Sequence, residues 1–97
     1  MKIIFKDVYK DPRQMVVPND LKTLQDLVGG YIETVTLFED MTIICNEEGR
    51  INGQMYNCEI CGIDFYGPIV LVGVKGDEFT DVPITVIDVG RLLDNCA

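Results

Sequence analysis

Histidine is absent from the 97 residues. Without it no general base is poised near neutral pH, and Ser-His or Cys-His nucleophile pairs cannot be assembled. Long apolar runs are also missing: no stretch approaches the roughly 20 residues needed to span a bilayer. The opening MKIIFKD offers three consecutive apolar residues before Lys6, too few for the hydrophobic region of a signal peptide. Basic runs are lacking as well. Eight Lys and Arg stand against sixteen Asp and Glu, a formal charge of −8, which argues against counterion-displacing nucleic-acid binding and against anionic membrane surfaces. These absences lead to the expectation of a soluble cytoplasmic protein with no direct nucleic-acid or membrane partner, no cofactor and no enzymatic activity of a common type. Carboxylates can do acid–base work, but the spacing of the sixteen acids singles out no pair.

What is present is an ordinary globular mixture, 47% hydrophobic and 25% charged, far from the composition of disordered chains. A chain of this length buries roughly 60–65% of its unfolded surface, enough for one modest core, so residues 1–97 read as a single domain. No internal repeat or low-complexity tract interrupts it. Lys2–Lys6 and Gln14–Val17 read as strands. Pro18-Asn19-Asp20 then breaks the chain, and Asn19 or Asp20 can cap a short helix carrying Leu21, Leu24, Leu27 and Val28 on one stripe. YIETVTLF and MTIICN follow as a β-hairpin around Glu39-Asp40. Residues 47–57 read as a loop and Pro68–Val74 as a strand buried on both faces. From near Pro83 to Leu93 the spacing favours a second helix. The expected class is α+β: a mainly antiparallel sheet of about four to six strands in the order β-β-α-β-β-β, a short helix at 20–29 and a C-terminal helix.

Three stretches invite a chemical reading. Gly29-Gly30 follow a helix and precede a strand, the reverse of a phosphate loop, so they sit at the negative end of the helix dipole and read as a left-handed cap. In the hairpin, a two-residue Glu39-Asp40 turn pairs residues whose numbers sum to 79, setting Val35 opposite Ile44, Leu37 opposite Thr42 and Glu33 opposite Asn46. Tyr31, Glu33, Asn46 and Glu48 then form a polar open end suited to a polar ligand or partner. CEICG contributes Cys58 and Cys61 as half of a zinc knuckle, but tetrahedral zinc takes four ligands and the remaining thiols, Cys45 and Cys96, are single and distant. Without a secretion signal the four cysteines read as reduced thiols.

The segments LKTLQDLVGGYIETV, IICNEEG and DFYGPIVLVG together resemble a family of small domains of unknown function encoded by phages, plasmids and bacterial genomes. The resemblance spans about Leu21–Gly73 and matches at Gly29, Gly30, Tyr31, Glu33, Asn46, Glu47, Glu48, Gly49, Asp64 and Gly67. It implies a mobile-element accessory role and supplies no catalytic residues. The glycines Gly29, Gly30, Gly49 and Gly67 have structural readings. Tyr31, Glu33, Asn46, Glu47, Glu48 and Asp64 are the candidates for contact with a ligand or partner. Three functions stay open: a non-enzymatic module that binds a host or element-encoded protein, alone or as a homo-oligomer formed through an exposed strand edge; a small-molecule or nucleotide-sequestering protein; and an acidic DNA mimic that inhibits a restriction enzyme, for which the acids are dispersed.

Overall fold

The described residues form nine strands: β1 (Lys2–Lys6), β2 (Arg13–Val16), β3 (Ile32–Phe38), β4 (Met41–Asn46), β5 (Tyr56–Ile60), β6 (Ile63–Tyr66), β7 (Ile69–Lys75), β8 (Glu78–Thr80) and β9 (Leu93–Cys96). Two helices, α1 (Leu21–Val28) and α2 (Val86–Leu92), complete the set. The computed structural model describes residues 1–96, with side chains through residue 93. The domain is α+β and mainly antiparallel. Its main sheet has six strands, in the order β2-β1-β7-β4-β3 with β8 beside the far end of β7, and β3 and β2 are its edges. A second sheet, β6-β5-β9, has three.

The main sheet carries a core on each face. On one, Leu24 and Val28 of α1 pack on Ile3, Phe5, Ile44, Val70 and Val72; burying two such side chains contributes about 1.5–3 kcal/mol each. On the other, the small sheet and α2 bring Cys58, Ile60, Phe65 and Val89 against Ile4, Met41, Ile43, Cys45, Ile69 and Leu71. β4 and β7 lie centrally and are buried on both faces, so their alternate side chains feed both cores. No helix among the described residues is long and apolar enough to cross a membrane.

A polar clamp joins the two sheets. Lys6, fully buried at the end of β1, donates from Nζ to Asn57 Oδ1 at 2.8 Å and to the Asp7 carbonyl at 3.0 Å. Asn57, also fully buried, donates to the carbonyls of Lys6 at 2.9 Å and Gly67 at 2.8 Å. Its amide therefore ties β1 and the β6–β7 turn to β5. Buried polar groups persist where they are satisfied in this way.

α1 begins and ends as its sequence predicts. Asp20 Oδ1 accepts from the Thr23 amide at 2.8 Å, and Gly29, at φ 80°, donates its amide to the Gln25 carbonyl at 2.8 Å. Three expectations need correction. The loop expected to run to Asn57 ends earlier, because Tyr56 and Asn57 open β5 and pair within the small sheet. α2 starts after Thr85, not near Pro83, because Thr85 and Asp88 satisfy each other's backbone amides in a capping box. The hairpin register is also one residue off. The pairing begins with Phe38 opposite Met41, as the expected sum requires, but the register shifts between Thr36 and Phe38, leaving Leu37 as an extra residue. Beyond it Glu33 lies opposite Cys45, not Asn46, and Ile32 takes the place opposite Asn46.

Candidate functional site

The register shift decides which side chains share a face. Glu33 and Val35 of β3 stand with Cys45 of β4 on the side facing the small sheet, where β6 and the turn after β4 complete a cleft. Its volume is about 220 Å³, and Glu33, Val35, Cys45, Glu47, Arg50, Asp64 and Tyr66 are among its lining residues. Glu33, Glu47, Arg50 and Asp64 are exposed at its rim, while Val35, Cys45 and Phe65 form the apolar floor.

Each rim group is held by an identifiable local feature. The β4–β5 connection turns back on itself at once: Asn46 Oδ1 accepts from the Glu48 amide at 2.7 Å, and the Glu47 amide donates to the Tyr31 carbonyl at 2.8 Å. That turn sets Glu47 and Arg50 over the cleft. The Arg50 guanidinium lies 4.7 Å from the centre of the Tyr66 ring, a cation–π distance. Tyr66 meets Tyr56 edge-on, with ring centres 5.4 Å apart, and the Tyr56 hydroxyl donates to Asp64 Oδ1 at 3.1 Å. Among the described residues the ion pair present is Lys22–Asp26, on α1 and outside the cleft, so the rim carboxylates and Arg50 are not neutralised by internal salt bridges. At the floor, burial and then the neighbouring Glu33 carboxylate push the Cys45 thiol up from 9.0 to about 11. A thiol so raised stays protonated at neutral pH and is a poor nucleophile.

Of the expected contact residues, Glu33, Asn46, Glu47 and Asp64 come together here, whereas Tyr31 and Glu48 lie outside the lining. Asn46 is largely committed to the scaffold: its Nδ2 donates to the Val28 carbonyl at 3.2 Å, serving the free C-terminal end of α1. Cys58 and Cys61 do not converge. Cys58 is buried in the core, and Cys61 forms the exposed β5–β6 turn with Gly62, at φ 52° and 81°, the geometry of a primed two-residue hairpin. Among the described residues, no group of three or more Cys, Asp or Glu is arranged to hold a metal ion.

Over residues 1–96 the chain matches the model of a family described as a domain of unknown function, DUF3846. The chain belongs to the DUF3846 family. No curated protein and no solved structure matches it. In this DUF3846 domain the glycines of the VGGYIE, NEEG and FYG segments wall in two side-chain amides. A Cβ on Gly30 would stand 2.8 Å from Asn46 Nδ2, one on Gly49 would stand 2.8 Å from the Tyr66 carbonyl, and one on Gly67 would overlap Gln54 Oε1. The four glycines are thus close-approach or left-handed positions that build the corner behind the cleft. The residues missed from sequence are Val35, Cys45, Arg50, Ile63, Phe65 and Tyr66. Arg50 did carry a signal, being the one basic residue between Lys22 and Lys75.

Proposed function

We propose that this DUF3846 domain is a non-enzymatic protein-interaction module whose acidic cleft receives a basic segment of a host or element-encoded protein, in an accessory role for a phage or plasmid. One observation carries the reading: Glu33, Glu47 and Asp64 line one open cleft over an apolar floor, with no ion pair among the described residues to account for them. Carboxylates on such a rim favour Lys or Arg and speed their encounter, while the apolar floor accommodates the aliphatic stem of the same side chain. Arg50 lies over Tyr66 at the same rim and offsets part of the charge.

The nucleotide-sequestering alternative ranks lower. About 220 Å³ is below the roughly 300–1,000 Å³ of ligand pockets, and three carboxylates repel phosphate. The DNA-mimic alternative needs acids displayed in rows at phosphate spacing, whereas these line a concavity.

Affinity capture from a bacterial lysate tests the proposal when run in parallel on the native domain and on a variant with Glu33→Gln, Glu47→Gln and Asp64→Asn. The expected outcome is a protein recovered by the native domain at low salt and lost from the variant. Recovery that is equal on both, or nil on both, overturns it.

A further inference from the structure

β3 is an edge strand of seven residues without proline or lysine, and among the described residues it pairs on one side alone, with β4. The direction of its free groups follows from the register. The Tyr31 carbonyl accepts from the Glu47 amide at 2.8 Å, which makes 31/47 a hydrogen-bonded pair. Alternation along an antiparallel ladder then makes 33/45 and 35/43 bonded pairs as well, and turns the N–H and C=O groups of Ile32, Thr34 and Thr36 outward. Such a row is a template for another strand.

The two faces flanking this edge have the same sign of charge. On one side lies the cleft of Glu33, Glu47 and Asp64. On the other, the sheet face that α1 also covers, a cavity of about 180 Å³ is lined by Thr34, Thr36, Thr42, Asp77, Glu78 and Phe79. Its floor includes Thr42, 3% exposed, whose hydroxyl has no hydrogen-bond partner among the described residues. A buried hydroxyl left in that state favours a ligand group that can bond it. A strand laid along β3 would send successive side chains alternately to these two faces.

The geometry points to strand addition: an extended, lysine- or arginine-bearing segment of another protein pairs with the outer edge of β3 and places its side chains alternately over the cleft and over the threonine-lined cavity. This inference rests on the interaction reading above and specifies the partner's backbone conformation and charge. A second copy of the chain is the poorer occupant, since each brings a charge of −8 and β3 itself has no basic residue to offer the other's cleft. Main-chain pairing supplies affinity in this mode and the alternate pockets supply specificity.

The probe is a blocked peptide of about nine residues, long enough to span the strand, built from Lys and Thr, with a counterpart carrying Glu in place of Lys. With isotope-labelled native domain, the Lys peptide is expected to bind, to slow exchange of the Ile32, Thr34 and Thr36 amides by about tenfold or more, and to leave the Glu peptide without effect. Thr34→Pro removes a donor that faces away from β4, so the β3–β4 ladder survives, and peptide affinity falls by about tenfold or more. Binding that survives Thr34→Pro, with no new protection at the three amides, overturns strand addition while leaving the acidic cleft as the docking site. The cleft reading fails differently: Glu47→Gln with Asp64→Asn then leaves peptide binding unchanged. A stable dimer of the native domain that disappears in Thr34→Pro also overturns the proposal, by assigning the edge to a second copy.

Discussion

Replacing Asn57 by alanine should be among the most damaging single changes in this domain. The amide is fully buried and makes three hydrogen bonds, at 2.8 Å from Lys6 Nζ, 2.9 Å to the Lys6 carbonyl and 2.8 Å to the Gly67 carbonyl. Truncation removes a donor from two carbonyls, that of Lys6 also lying on the β1–β7 ladder opposite Ile69, and leaves a buried ammonium with the Asp7 carbonyl as its remaining partner. Unsatisfied buried groups cost about 1–3 kcal/mol each and charged ones more, so the loss should reach about 3–5 kcal/mol. Domains of this size are stable by about 5–15 kcal/mol, and each kcal/mol moves Tm by about 4–8 °C. Asn57→Ala should therefore lower Tm by about 12–40 °C and shift the urea midpoint with little change in slope. Lys6→Met makes the contrast informative. It removes the charge together with the need to satisfy it, keeps similar volume and leaves both Asn57 donors bonded, at the expense of stranding Asn57 Oδ1, so it should cost less. A loss below about 1 kcal/mol for Asn57→Ala, or a larger loss for Lys6→Met than for Asn57→Ala, would refute the view of this clamp as the tie between the sheets.

Acid stability should follow the helix caps. Hydrogen bonds from the Thr23 and Thr85 backbones hold the Asp20 and Asp88 carboxyls below 3.8; a depressed folded value contributes stability that is complete above the unfolded value and fades as pH falls from about 4 through the folded one. Asp20→Asn with Asp88→Asn, which keep a capping oxygen without titrating, should flatten denaturation curves measured between about pH 5 and 2. Thiol chemistry should divide the cysteines: mass-spectrometric mapping after iodoacetamide at about pH 8 should find exposed Cys61 labelled first and Cys45 lagging. The Cys45 thiol lies above its ordinary value, so its contribution is complete below 9.0 and is lost as pH rises toward about 11; Cys45→Ala should remove that alkaline step.

The parts of the fold that sequence revealed are those fixed by local chemistry. Asp20 and Gly29 bracket α1 because a capping carboxylate and a left-handed glycine act within one helical turn, and Glu39-Asp40 marks the hairpin because it interrupts two β-rich runs. The register escaped because β4 is buried at all six positions, so it has no in–out alternation to discriminate between offsets. Once Leu37 bulges, Glu33 and Val35 change partners and share the face of Cys45 and Ile43 instead of that of Asn46 and Ile44. The small sheet escaped for a similar reason: β5 lies between β6 and β9, and its pairing with the latter joins segments more than thirty residues apart. Arg50 and Tyr66 reach the cleft only when that sheet folds over β3 and β4, which no local pattern reports.

Eight of the ten positions that carry the family resemblance divide into two groups with different physical roles. Gly29, Gly30, Gly49, Gly67 and Asn46 belong to one corner, where a side-chain amide serves the end of α1 and any added Cβ meets an amide or a carbonyl. These positions are demanded by packing whatever the domain binds. Glu33 and Glu47 have no hydrogen bond or ion pair from their carboxylates among the described residues, and Asp64 has the Tyr56 hydroxyl. Their removal should therefore leave the corner and its stability nearly intact, since surface substitutions away from networks stay within about 0.5 kcal/mol. Loss of partner binding without loss of stability at Glu33 and Glu47, set beside loss of both at Gly67, is the pattern that separates a recognition surface from the scaffold presenting it.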